Sequence, residues 1–312
     1  MKRCPRRKQR PPARGAALVI AMLLAALAAA VTVALATGQE RWRSTVLHRR
    51  DQVQAEALAQ AGVQWARSAL ADDARSSSVD TLSEPWALPL PATPVGNGSI
   101  EGRIVDAQGL FNVNNLAVEG ATATIARTQF TALFSALGVA TPVIDAVADA
   151  VDTDDVARDG GAEDAYYARA IPPHLSPNAP ALRVAELATL RGVTPAVMNA
   201  IRPFVVALPP PTTLNVNTAP PEVLMAALPG LDNDGATALV AGRTRKPFTT
   251  IAEFRARLPR AATIVDERAF SVASGYFLVS VDARQGETRV RARALLQRAP
   301  GKPPAIVWQV IE

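Results

Sequence analysis

The densest group of side chains able to do chemistry is the run VDTDDVARDGGAEDAYY, residues 151–167. It gathers Asp152, Asp154, Asp155, Asp159, Glu163 and Asp164 in a turn-rich stretch. Hard cations such as calcium take about six to eight oxygen ligands, so carboxylates on a bent backbone suit one. Asp152, Asp154 and Glu163 fall on the first, third and twelfth places of an EF-hand loop. Val156 and Ala157 stand at the fifth and sixth, where a ligand and a glycine are needed, so the EF-hand is excluded. Spacing alone equally describes a solvated loop whose aspartates cap helices.

A second stretch points to other chemistry. LNVNTAPPEVLMAALPGLDNDGATALVAGRTRKPFTTIAEF, residues 214–254, resembles the helix-hairpin-helix units of DNA-binding proteins, with Arg243, Arg245 and Lys246 as phosphate ligands. A membrane-tethered DNA-binding protein is therefore the alternative reading. Against it, Leu231-Asp232-Asn233-Asp234 separates Gly230 from Gly235 and sets two aspartates at the phosphate contact. Catalysis has little to stand on. His48 lies on an amphipathic helix and His174 in a proline-rich loop, neither in a nucleophile or metal-ligand spacing. The sequence thus predicts no enzyme, no nucleic-acid partner and no small-molecule substrate.

These stretches hang from an N-terminus that is not globular. Seven basic residues and no acid occupy the first 14 positions, together with Cys4, the single cysteine of the 312-residue chain. The formal charge of +5 belongs to that leader, and the rest is slightly acidic, which argues against a polyanion partner. Ala16 to Thr37 carries no charge and as a helix spans roughly 33 Å, about the thickness of a bilayer core. Ala34-Leu35-Ala36 has the small-x-small spacing of a signal-peptidase site, but the run is longer than a usual signal h-region. The basic leader predicts a cytoplasmic N-terminus, with everything after Thr37 beyond the membrane. No proline interrupts the chain from Ala16 to Asp73, so the span is expected to continue as one helix to about residue 71. Val46, Val53, Ala57, Leu58, Ala61, Val63, Trp65 and Leu70 form its apolar side.

A short basic leader ending in Gly15, followed by an apolar helix that runs on into the soluble part, resembles the type IV pilins and type II secretion pseudopilins. The resemblance implies cleavage after Gly15 and methylation of Ala16 by a prepilin peptidase. It also implies a glutamate at the fifth mature position, where this chain has Ile20; the K-type minor pseudopilins are similar in lacking it. DAQGLFNVNNL (residues 106–116), the D-x-D…G-A-E-D segment followed by Pro172, Pro173 and Asn178, and NVNTAPPEVL (residues 215–224) also resemble the K type. That family implies structural calcium, here on Asp152, Asp154, Glu163 and Asp164. It implies a subunit capping the pseudopilus tip and joined to other minor pseudopilins through the N-terminal helix, in the inner membrane with its soluble domain in the periplasm.

The expected fold is α+β: a long transmembrane and stalk helix packed on an antiparallel pseudopilin sheet, with a large inserted all-α, SAM-like domain. Its parts are a cleaved leader (1–15), a membrane helix (16–37), the rest of the stalk with the first strands (38–118), the insert (119–270) and closing strands (271–312). The insert divides into about 119–205 and 212–270. Ile100, Gly102 and Ile104 alternate as in a half-buried strand, and YFLVSVDARQGETRVRARALLQR reads as strand, Gln285-Gly286 turn and strand. Asn112, Asn114 and Asn115 are expected to bond backbone in turns.

Overall fold

A computed structural model describes residues 14–299 and 301–312, with the side chains of Arg14 and Gly15 left aside. Residues 1–13 of the leader, Cys4 included, lie outside the described residues. Helix α1 runs Arg14–Ser76 without a break, 63 residues or roughly 95 Å. Its first part is long and apolar enough to cross a membrane and is exposed throughout.

A five-stranded antiparallel sheet packs on the distal part of α1. Its strands are β1 (Leu90–Val95), β2 (Gly98–Asp106), β7 (Tyr276–Gln285), β8 (Thr288–Gln297) and β9 (Ala305–Ile311), in the order β1-β2-β7-β8-β9. Ile100, Ile104, Val279, Val281, Val290 and Ala292 point inward as the alternation predicts. The β7–β8 turn falls at Gly286-Glu287, one residue later than expected, because Gln285 still pairs with Thr288. Strand β1 carries Pro91 and Pro94, which mask it in the sequence and which an edge strand tolerates.

The stalk corrects the expected apolar side. Ala55, Ala59, Gly62, Val63, Ala66 and Leu70 face the sheet, whereas Val46, Val53, Ala57, Ala61 and Trp65 are exposed and Leu58 is half-buried. Size rather than hydrophobicity selects the buried stripe. A Cβ on Gly62 would sit 2.6 Å from Ile100 Cδ1 and Val281 Cγ1, so the sheet approaches only over small residues.

Between β2 and β7 the chain forms the insert. It contains β3 (Phe111–Asn112), α2 (Ala121–Ala136), α3 (Pro142–Val151), α4 (Asp164–Tyr167), α5 (Pro195–Ile201) and β4 (Val205–Val206). There follow β5 (Leu214–Asn215), α6 (Pro221–Ala227), α7 (Asn233–Arg245), α8 (Ile251–Ala256) and β6 (Phe270–Ser271). Two parallel pairs, β3 with β4 and β5 with β6, close two successive lobes. Their shared apolar core includes Phe130, Ile144, Tyr167, Leu224, Phe248 and Phe254.

Candidate functional site

The acidic loop begins where α3 ends. Asp149, fully buried, accepts from the Arg158 backbone N–H and from its guanidinium at 2.6 Å, and Asp152 Oδ2 accepts from the same guanidinium at 2.6 Å. Gly161 lets the loop return over α3, since a Cβ there would lie 1.7 Å from Asp149 Oδ2. Asp154 is exposed and accepts from the Val156 N–H at 2.9 Å, and Asp164 Oδ1 accepts from the Ser176 N–H at 2.8 Å. Asn178, in the left-handed region at φ 43°, donates to Asp155 at 2.6 Å, drawing its segment against the loop.

Of the four residues assigned to a metal, the structure thus commits oxygens of Asp154 and Asp164 to backbone donors and leaves others unmet. Asp152 Oδ1, both Glu163 carboxylate oxygens, Ser176 Oγ and Asn178 Oδ1 are shielded from water and have no hydrogen-bond partner. Unpaired buried oxygens are costly, and hard oxygens of this kind fit calcium. Burial raises the carboxyl pKa of Asp152, against the pull of Arg158. Burial likewise raises that of Glu163, against the pull of the neighbouring Ser176 hydroxyl, with the charges of Asp149, Asp152 and Asp155 adding to the rise. Spacing gave no signal for Ser176 or Asn178, which join the loop from a separate proline-rich segment.

A second acidic group escaped the sequence. Among the described residues, Asp73, Asp80 and Glu84 bring carboxylate oxygens within 4.8 Å of one another. Here the protein supplies the cation: Arg298 donates to Asp73 at 2.7 Å and to Asp80 at 2.5 Å, over the Phe277 ring. Ser274 N–H also donates to Asp80, and Thr81 N–H and Trp86 Nε1 donate to Glu84. Next to them Asp106, buried at the end of β2, accepts from Asn215 Nδ2, Thr218 Oγ1 and Ser274 Oγ at 2.9, 2.6 and 2.7 Å. Burial pushes Asp106 up to about 6, against those hydrogen bonds, and Asp73 up to about 6, with Glu84 adding to the rise and Arg298 opposing it. This network is the joint between stalk, sheet and insert.

The asparagines do more than make turns. Asn112 Oδ1 accepts from the Asn114 N–H, and Asn114 clamps Ala181 by donating to its carbonyl and accepting from its N–H, both at 2.9 Å. Asn115 holds Thr212 in the same two-way fashion. In the second lobe Asn215 Oδ1 accepts from Asn217 N–H, and Asn217 clamps Phe248 at 2.9 Å each way.

The hairpin-like stretch is closed to phosphate. Asp232 caps α7, accepting from Gly235 N–H at 2.8 Å, so a carboxylate already stands at the helix start where a phosphate would bind. Arg243 is buried, donates to Val216 O at 2.7 Å, and is pushed down to about 10 by burial. Lys246 and Arg257 are held by Glu253, whose pKa lies well below the usual range because Thr249 N–H and Arg257 bond it. Gly15 and Ala16 sit in the first turns of α1, and Ile20 is exposed on it. His48 is exposed on α1, and His174 is exposed beside Tyr167.

Two family models described as type II secretion system, protein K, match residues 109–210 and 214–273. The type II secretion system protein K of Pseudomonas aeruginosa is 31% identical over 299 residues, covering 91% of this chain and 88% of that protein. That of Klebsiella pneumoniae is 30% identical, covering 91% and 92%, and that of Aeromonas hydrophila 32%, covering 71% and 73%. Among solved structures, the GspK-GspI-GspJ complex of the enterotoxigenic Escherichia coli type 2 secretion system contains a chain of the same fold. It matches with a TM-score of 0.75 at 24% identity, over 85% of this chain and 98% of that one.

Proposed function

The chain belongs to the type II secretion system protein K family, and from that premise we propose that this minor pseudopilin caps the pseudopilus tip and helps start its assembly. The observation that carries the reading is the two-sided stalk. One face of α1 is buried on its own sheet, while the opposite face, Trp42, Val46, Val53, Ala57, Ala61 and Trp65, stays bare. Apolar and small residues in such a stripe let a second helix approach closely. Its occupants are other minor pseudopilins, a reading supported by the E. coli complex, in which GspK is joined with GspI and GspJ.

The tip position follows from two features. Ile20 offers no carboxylate to offset the N-terminal amine of a subunit above, and an unpaired buried charge is costly. The two-lobed insert adds bulk that a stacking subunit would have to clear. Prepilin peptidase cuts after Gly15 and methylates Ala16, and the protein sits in the inner membrane with its sheet and insert in the periplasm. There calcium binds Asp152 and Glu163, with Ser176 and Asn178 adding oxygens, and orders the loop. The role is structural and not enzymatic. The DNA-binding alternative finds no support in the capped α7 or in the family matches.

The test is the intact mass and N-terminal sequence of the membrane-extracted protein, with and without a prepilin peptidase. A peptidase-dependent chain beginning at methylated Ala16 is expected. A chain that keeps its leader, or one that begins near Thr37, would overturn the pilin pathway.

A further inference from the structure

The sheet face turned away from the stalk carries arginines that the assembly reading does not use. Strand register sets Arg103 on β2 opposite Ser280 on β7, and Ser280 opposite Arg293 on β8. Two guanidinium groups therefore leave the same face two strands apart, roughly 10 Å at the backbone. Arg202, just beyond α5, reaches the same trough from the insert. The trough has a volume of about 830 Å³, and Val105, Leu278 and Trp308 give it an apolar wall.

All three arginines are exposed, and among the described residues none forms an ion pair. One register step along the sheet, Arg289 and Arg291 are both held by Asp282 at 2.9 Å. The contrast is one of pairing: Asp282 and Glu101, which also line the trough, lie against Arg289 and Arg291, while Arg103, Arg202 and Arg293 stay unpaired and leave the arginines in excess. A guanidinium fork matches a carboxylate in two parallel hydrogen bonds, so these three are set for acidic side chains.

We propose that this trough docks an acidic, extended polypeptide segment of another protein. Its length and apolar wall suit a chain whose carboxylates alternate with apolar residues, rather than a bare anion. Lipid headgroups are out of reach. The trough is level with Gly62, which touches Ile100 and Val281, and Gly62 lies 25 residues beyond Thr37, roughly 38 Å along the helix. The surface is on the opposite side of the sheet from the stalk stripe, so the docking stands or falls independently of the tip position.

The experiment uses full-length protein in detergent and a blocked heptapeptide in which three glutamates alternate with leucine, with its glutamine counterpart as control. Fluorescence anisotropy of the labelled peptide is expected to give binding at least tenfold tighter for the glutamate form, weakening as salt is raised. Arg103→Gln/Arg202→Gln/Arg293→Gln should lose at least tenfold, while Arg245→Gln, on the second lobe, leaves binding unchanged. Should the triple glutamine variant fail to fold, the triple lysine variant keeps the charge and is expected to lose severalfold through the missing fork. No binding by the wild type, equal binding of both peptides, or undiminished binding by the substituted protein would overturn the proposal. Displacement by inorganic phosphate or anionic vesicles as readily as by free glutamate peptide would overturn it too.

Discussion

In the first lobe of the insert Asn112 braces Asn114 and Asn114 grips the Ala181 backbone; in the second, Asn215 braces Asn217 and Asn217 grips Phe248. The segments FNVN and LNVN that carry these residues each open a lobe, and a short parallel strand pair closes each. The lobes differ in how they settle their charges. The second is satisfied from within, by Arg243 on Val216, Asp232 on its own helix and Glu253 on Lys246 and Arg257. The first leaves buried oxygens of Asp152, Glu163, Ser176 and Asn178 without a partner, although Arg158 meets part of the need. One scaffold thus yields a self-contained lobe and a lobe with buried oxygens left over, where we place the proposed calcium.

The largest effect is expected at the clamps. Asn114→Ala strips the partners from Ala181 N–H and C=O and one of two donors from Leu208 C=O, which keeps Asn112, and should cost roughly 3 kcal/mol in urea unfolding. Asn217→Ala strips two and should cost roughly 2–3 kcal/mol. If either proved neutral, the shared device would be decoration. Calcium separates the lobes next. At a hundredfold excess over its Kd it should add about 2.7 kcal/mol to the wild type. It should add nothing to Asp152→Asn/Glu163→Gln, and calorimetry with and without chelator reads the difference.

The joint to the sheet gives a pH signature that belongs to the second lobe, since Asn215 and Thr218 hold Asp106. The carboxyl groups of Asp106 and Asp73 lie near 6 when folded against an ordinary value of 3.8, so the folded state binds more protons between those limits. Their contribution is full below about pH 4 and is lost as pH rises through 6. Unfolding in chelator should show stability falling from pH 4.5 to 7.5 by about 2 kcal/mol for each of the two groups, with a shallower slope for Asp106→Asn. A flat profile would contradict the buried joint. Glycines give the smallest effects: Gly161→Ala, against Asp149, should cost about 2 kcal/mol. Gly242→Ala, on α7 with open space around it, should gain up to about 1 kcal/mol in thermal unfolding.

Much of this was legible in the chain. The stalk follows from an uncharged run continued without proline, and strands β2, β7 and β8 follow from alternation, because one-sided burial of a strand writes itself into sequence. Strand β1 hid behind Pro91 and Pro94. The buried stripe of α1 hid behind alanine and glycine, which close packing selects and hydrophobicity does not rank. Ser176 and Asn178 could not be joined to Asp152 and Glu163 by spacing, since the fold brings in their segment from outside the run. Arg298 lies more than 200 residues from the aspartates it neutralises, and no local pattern announces it.

The central claim, assembly through the bare face of α1, is tested most directly by co-purifying the full-length protein with homologues of the E. coli GspI and GspJ, as wild type and as Ala57→Glu/Ala61→Glu. Both alanines are exposed and the opposite face packs the sheet, so the variant should keep its melting temperature. The account predicts that the wild type recovers both partners and that the double variant recovers at least tenfold less. Equal recovery by the folded variant would contradict it.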